Sequence, residues 1–525
     1  MTMKRSCRTG EWARLARALL GVAACGSSSG CYDFNCDQDY LCPSLGDEEP
    51  SCPADPAEAA GNPVPARCGV WVSSSLGDDA HKGSPNAPVA TLDEALRKAL
   101  DGPRRVFACS EKFEGPVEWP AGVSLHGGFE CADLQWRYLH GVDKTTLTAP
   151  ADLIPLTLTG SALPEPSMLT DLVVQAQAAG VPGGSSIAVL ALADARAEIR
   201  RSKLWADNGA DGADGDSGDH LGFPAKDGLH GKDGGGACTS AVGEGGALVA
   251  LDCGDDASFG GEGGDGGVQA ATSGDDGEVA PAMSAPDLGL GGQGEDLLAG
   301  TSCTKGVPGG AGIEGETGLG AAWPPRLTAS GYVGVGGADG KRGRAGQGGG
   351  GGGASAGTAA CGAGFPHGGA GGGSGGSGGC GGRGGRGGQP GGSSIALATL
   401  TGELMLVEVY FATGNGGRGG AGGMPQQGGQ GGLPGIGGLG LRTPGGPNAG
   451  CIGGVGGRGG DGGPAGGGLG GSTFSLAYAG TAPPSLVSFG HQKGKAGEGG
   501  PGSDADNSLT SGAAGRSSEI EPLLP

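Results

Sequence analysis

The sequence predicts an all-β chain, a stacked parallel β-solenoid with long glycine-rich loops, and three observations lead there. The first is an internal repeat. Pro182-Gly-Gly-Ser-Ser-Ile-Ala188 recurs unchanged as Pro390-Gly-Gly-Ser-Ser-Ile-Ala396, and a weaker copy stands at Gly470-Gly-Ser-Thr-Phe-Ser-Leu-Ala477. The second is its period: Ile187 to Asn208 is 21 residues and Ile395 to Asn415 is 20, each span made of two apolar runs closed by Asn-Gly. Units of that size cannot bury their apolar face alone and gain by stacking. The third is where apolar sequence lies. Of 525 residues 127 are glycine and only 4% are aromatic, so core material gathers in residues 68–205 and in islands at 246–251, 326–335, 394–411 and 473–489.

Residues 1–24 read as an export signal, with basic residues first, then Ala18-Leu-Leu-Gly-Val-Ala-Ala24. Val22-Ala-Ala-Cys25 fits a lipobox, which makes Cys25 the lipidation site and places the protein in the cell envelope, at the outer membrane or cell surface. No later apolar run reaches the ~20 residues needed to span a bilayer, so membrane attachment would rest on lipid. Loss of the signal would remove five basic residues and one acid, taking the formal charge from -22 to -26. That balance argues against nucleic acid as a partner. The charge is also segregated, net -17 over 206–300 and net +4 over 301–471.

Residues 25–66 form a lipidated spacer with Cys31, Cys36, Cys42 and Cys52 ahead of Cys68. The spacings lack the paired Cys-x-x-Cys of a zinc site, and disulfides in an oxidising compartment are the expectation. Cys68 to Ser74 reads as a first strand. Thr91-Leu-Asp-Glu94 opens a helix over 91–100 as a capping box, with Leu92, Ala95, Leu96, Ala99 and Leu100 on one face. Strands are expected at 105–109, 123–126, 145–148, 155–159 and 169–175, separated by Gly and Pro turns.

Val72-Ser-Ser-Ser-Leu-Gly-Asp-Asp-Ala80, Gly83-Ser-Pro-Asn-Ala-Pro-Val-Ala-Thr-Leu-Asp-Glu-Ala95 and Pro120-Ala-Gly-Val-Ser-Leu-His-Gly-Gly-Phe129 resemble the opening of exported right-handed parallel β-helix proteins of the pectate-lyase-like (pectin-lyase-like) superfamily. The resemblance covers about 140 residues and implies that the helix caps the first coil. The glycine tracts resemble those of PGRS-type surface proteins, and the whole is similar to glycine-rich bacterial surface lipoproteins. This divides the chain into a β-helix over 67–208, coils at 393–415 and 472–490, glycine-rich insertions at 209–392 and 416–471, and a polar tail at 491–525. Cys109 and Cys131, 22 residues or about one coil apart, are expected to pair. Ile187, Ile395 and Phe474 are expected to share one core, so that removing residues 209–389 leaves a folded coil.

Within the tracts, residues 372–389 are six unbroken Gly-Gly-X units with Ser374, Ser377, Cys380, Arg383, Arg386 and Gln389 at X. A three-residue extended helix would align these side chains on one edge and leave two bare glycine edges for packing. The sequence leaves open whether the tracts are polyglycine-II-like or disordered.

Short motifs in a chain this rich in glycine carry little. Gly414-Asn-Gly-Gly-Arg-Gly419 matches the dinucleotide fingerprint without a βαβ context. Arg383, Arg386, Arg418 and Arg458 sit among glycines without the aromatics of RNA-binding segments. Asp211, Asp214, Asp216 and Asp219 are weak candidates for calcium, the one cofactor the sequence leaves open, although the tract fails the EF-hand pattern. Arg137, Arg196, Arg200 and Arg201 are the basic residues on which a lyase could draw, with no motif tying them to acids. No catalytic residue is assigned. The expectation is a non-catalytic surface lipoprotein, structural or adhesive, displaying glycine-rich arms. The alternative is a polysaccharide-binding or polysaccharide-cleaving β-helix protein of lyase or glycoside hydrolase type, with polysaccharide or cell-surface matrix as the partner in either case.

Overall fold

The computed structural model describes residues 52–59, 63–139, 144–219, 225–282, 287–400, 402–480, 482 and 485–525. Residues 54–525 form one unit. The signal, Cys25 and the first three spacer cysteines lie outside the described residues. The chain's regular secondary structure is mostly strand, in large parallel sheets.

Strand pairing sorts into three parallel ladders. The first joins Val70–Val72, Arg105–Cys109, Ser124–Glu130, Ser167–Thr170, Arg196–Arg200, and the opening halves of Glu403–Thr413 and Ser485–Gln492. The second joins Lys112–Glu114, Thr145–Thr148, Leu172–Ala176, Lys203–Ala206 and the closing halves of the same two long strands. The third joins Val117–Pro120, Leu156–Thr159, Ser186–Ala191, Ser394–Leu400, Thr473–Ala479 and Ser517–Leu523. From Arg105 onward the chain visits first, second and third ladder in that order and returns to the first. It is therefore a stacked parallel coil with three faces. Residues 491–525, expected as a tail, supply the outermost strand of the third ladder through Ser517–Leu523.

The glycine-rich stretches leave at one place only, the passage from second to third ladder. They lie between Ala206 and Ser394, between Thr413 and Thr473, and between Gln492 and Ser517. Serines of the repeat bind the coils where these excursions return. Ser185 Oγ accepts the Ser393 N–H at 2.9 Å, Ser393 Oγ that of Ser472 at 2.8 Å, and Ser472 Oγ that of Arg516 at 3.1 Å. A hydroxyl here satisfies a donor that a glycine flank leaves without a ladder partner.

The helix Leu92–Leu100 buries Leu92, Ala95 and Ala99 against the coil core, while Leu100 faces solvent. Only half of the expected capping box forms. Thr91 Oγ1 accepts the Glu94 N–H at 3.2 Å, but the Thr91 N–H goes to Asp79 Oδ1 at 2.9 Å, and Glu94 turns instead to Arg97 and Lys98.

Ile187, Ile395 and Phe474 stand in register and share one apolar cluster. It is not the cluster inside the coil, which holds Val189, Leu397 and Leu476. The antiparallel hairpin Arg326–Thr328 with Gly331–Val333, part of the first glycine insertion, contributes Leu327 and Tyr332 to the Ile187 cluster, beside Trp323. The third ladder is thus apolar on both faces over Ser186–Ala191, Ser394–Leu400 and Thr473–Ala479, which is why these three strands read as unbroken apolar runs.

The glycine tracts are ordered as a bonded slab. Gly373, Gly376, Gly379, Gly382, Gly385 and Gly388 donate to the carbonyls of Cys451, Gly454, Gly457, Gly460, Gly463 and Gly466, one bond every third residue. Residues between them donate elsewhere: Gly372 and Gly375 to Gly264 and Gly261, Ser374 and Ser377 to Lys232 and Leu229. A three-residue repeat bonded in several directions at once is the packing of polyglycine II. Side chains would prevent it, since a Cβ on Gly375 would collide with the carbonyl of Gly349 and one on Gly376 with that of Gly432. The X side chains share an edge as expected: Ser374 and Ser377 hydroxyls accept the N–H groups of Lys232 and Leu229, and Cys380 is bonded to Cys253.

Candidate functional site

Two places gather chemistry. The first is the corner between the first and second ladders. The residues that turn it, Asp171, Arg201 and Glu408, belong to successive coils and adopt positive φ of 59°, 45° and 54°. Asp and Asn tolerate this conformation better than most side chains, and three such corners in a row place acid, base and acid along the coil axis. Arg201 sits between two carboxylates. Its Nη1 and Nη2 donate to Asp55 at 2.8 and 2.9 Å, and its Nε and Nη2 donate to Asp171 at 3.1 and 2.8 Å. The Tyr138 hydroxyl donates to Asp171 at 2.9 Å, and Lys144 Nζ stands 3.9 Å from it.

Burial and these bonds oppose each other. Burial alone would raise the Asp55 carboxyl, but Arg201 and the Ala57 amide outweigh it and hold it below its ordinary value. Burial lowers Lys144 although Asp171 pulls the other way. Burial, with Asp171 next, pushes the Tyr138 hydroxyl up. Nearby, His126 is enclosed, stacked on Phe107 with ring centroids 5.4 Å apart, and bonded through Nδ1 to Thr170 at 3.1 Å. Burial drives its imidazole down to about 3, so it is neutral at every physiological pH.

This corner brings together two carboxylates and an arginine, the grouping a lyase would need. It is nevertheless closed. Asp171 and Asp55 are buried and the guanidinium fork is spent on them, so the cluster fastens residues 54–59 to the coil rather than presenting a cation to a ligand. The other basic candidates are also committed. Arg200 pairs with Glu198 and Asp55, Arg137 with Glu130 and Asp133, and Arg196 donates to the carbonyls of Ser161 and Leu163.

Set beside known protein families, curated proteins and solved structures, the chain matches none.

The second place is the slab. Its acids work as edge caps. Asp211, Asp214, Asp227 and Asp233 each accept a backbone N–H of the neighbouring strand, from Arg418, Ala421, Gln430 and Ile436 at 2.6 to 2.8 Å. His230 Nδ1 does the same for Leu433 at 3.0 Å. Among the described residues, the calcium candidates Asp211, Asp214, Asp216 and Asp219 form no group of three with ligand atoms close enough to share an ion. Among the described residues the one convergent group of three ligand-type side chains is Cys109, Glu111 and Cys131, whose two cysteines are joined as a disulfide with Cα atoms 5.7 Å apart.

The slab ends in five turns at residues 236–243, 267–273, 297–303, 357–368 and 439–449. Disulfides Cys238–Cys361 and Cys303–Cys451 knit them together, with Thr358 Oγ1 donating to Gly445 O at 2.8 Å and Gly357 N to Gly267 O at 2.6 Å. The strand from Gly371 at this end to Gly392 at the coil runs 21 residues, about 65 Å at 3.1 Å per residue. Sequence reasoning missed both this end and the Arg201 corner. Asp55 and Arg201 are 146 residues apart, and the turns show only as glycine-poor breaks in the tracts.

Proposed function

We propose that the protein is a non-catalytic cell-surface lipoprotein with a structural, adhesive role, in which the coil is a right-handed parallel β-helix of the pectin-lyase-like kind. Cys25 carries the lipid and holds the protein at the outer membrane or cell surface, and the glycine-rich arms, similar to PGRS-type sequence, are what it displays. The observation that carries this reading is the bonded slab. A glycine array costs more chain entropy than an ordinary sheet, and here backbone hydrogen bonds in several directions and disulfides offset that cost to hold one set of turns far from the coil. Such a rigid spacer suits presentation at a distance from an anchor.

The polysaccharide reading draws support from the long parallel faces, but its best constellation, Asp55, Arg201 and Asp171, is internally paired. Beads coated with the protein should bind bacterial cells or cell-wall material, while the protein should leave acidic and neutral polysaccharides uncleaved with and without calcium. Cleavage of any of them, or beads that bind nothing, would overturn the proposal.

A further inference from the structure

The five turns at the far end of the slab differ chemically from the rest of the chain. They hold a single charged side chain, Arg442, and no acid, in a protein whose formal charge is -22. Asp296, at the base of the third turn, is occupied in accepting the N–H groups of Leu298 and Ala299 at 2.8 and 3.1 Å. The turns also expose large apolar side chains, each on a different turn: Leu298 at 86%, Leu439 at 78%, Phe365 at 64%, Val268 at 53% and Val242 at 47%. A surface that excludes charge while leaving leucine and phenylalanine in water is costly to solubility and calls for a partner.

We propose that this end inserts its turns into a lipid bilayer surface, so that the protein adheres by contact with a membrane other than the one it is anchored in. The inference rests on the adhesive reading above. Three features favour lipid over a folded protein partner. The exposed apolar side chains are spread over all five turns, with Leu297 beside Leu298 on the third and Leu441 beside Leu439 on the fifth, as insertion between headgroups requires, rather than gathered on one turn. The turns themselves carry no acid, and Asp296 and Glu295 at their base are tied to Leu298, Ala299, Ala356 and Asn448, so the repulsion that the rest of this acidic chain would feel at an anionic surface is weaker here, and Arg442 adds a weak attraction. The disulfides and the Glu295 bonds to Ala356 N and Asn448 Nδ2, at 2.8 and 2.6 Å, hold the turns in place, so little ordering is lost on insertion.

The test uses the full chain with Cys25→Ser, which removes the lipid, in flotation with phosphatidylcholine vesicles with and without phosphatidylglycerol. The protein should float with both. The triple variant Leu298→Ser, Phe365→Ser, Leu439→Ser should lower the bound fraction at least about tenfold, whereas Leu153→Ser on the coil should not. If the triple variant unfolds, Leu298→Ser alone should still weaken flotation. Phe365→Trp fluorescence should be quenched by brominated acyl chains. Absence of flotation, or flotation that the triple variant retains, overturns the proposal. Coated beads that bind cells without vesicle flotation would leave the adhesive reading standing and remove lipid as the partner; beads that bind nothing would remove both. Loss of flotation together with tip-dependent self-association in sedimentation would reassign the surface to a second copy of this chain.

Discussion

Ile187 and Ile395, 208 residues apart in sequence, are register partners on adjacent parallel strands, yet both face away from the core that fills the coil. They are covered instead by a hairpin that the glycine insertion sends back to the third ladder. Deleting residues 209–389, which the repeat alone suggested was harmless, would strip Trp323, Leu327 and Tyr332 from that face. The expected product is a coil with an exposed apolar sheet, detected as dye binding and aggregation. Keeping residues 321–335 on a short linker should restore a soluble protein. Within the intact chain, Leu327→Ala should cost about 2–5 kcal/mol in denaturant unfolding, because Leu327 is fully enclosed.

Much of the coil was legible because its strands carry alternating or continuous apolar runs. The boundaries at 105–109 and 145–148 agree with the sequence reading to the residue. The stretch 169–175 was read as one strand, whereas the chain bends at Asp171 and contributes to two ladders. An aspartate at positive φ leaves no mark in hydropathy. Likewise Lys112–Glu114 and Val117–Pro120 are too short and polar to stand out. Composition marks the acids of 206–300 only as excess charge and cannot reveal that Asp211 and Asp214 each accept an N–H from a segment 207 residues further on.

Arg201→Met should be strongly destabilising, by about 3–5 kcal/mol, because it leaves the buried Asp171 and Asp55 without their shared partner. The Asp55 carboxyl is held below its ordinary value, so its contribution is present above the unfolded pKa of 3.8 and is lost as pH falls through the lower folded value. Asp55→Asn should therefore lower the melting temperature at pH 7, and its penalty should shrink as pH falls below 3.8.

His126 gives a separate pH signature. Its imidazole is depressed from 6.5 to about 3, so the unfolded chain binds a proton that the folded chain refuses. Stability should fall as pH drops from 6.5 toward 3, by up to about 1.4 kcal/mol per pH unit. Replacing it by Phe, which can keep the stack on Phe107, should remove one proton's worth of that slope in urea midpoints measured against pH. An unchanged slope would show that His126 is accessible to protons in the folded state.

The slab makes the sharpest demand on sequence, since neighbouring residues of one Gly-Gly-X unit have different obligations. Gly376 faces the carbonyl of Gly432, and a Cβ there meets backbone that cannot move alone, because Gly432 is itself bonded to Ser377. Ser377, one residue on, points its hydroxyl at the Leu229 N–H, 2.8 Å away, with room already provided for a side chain. Gly376→Ala should therefore disrupt the local lattice, seen as fast hydrogen exchange at Gly432, Gly454 and their neighbours, with a cost of about 1–3 kcal/mol as in other overpacked interiors. Ser377→Ala should lose one hydrogen bond, about 0.5–1.5 kcal/mol, and raise exchange at Leu229 alone. Equal effects from the two substitutions would mean that the tract is held by composition rather than by this register. A slab whose glycine amides all exchange at the rate of an unfolded chain would mean that the bonded array does not persist in solution.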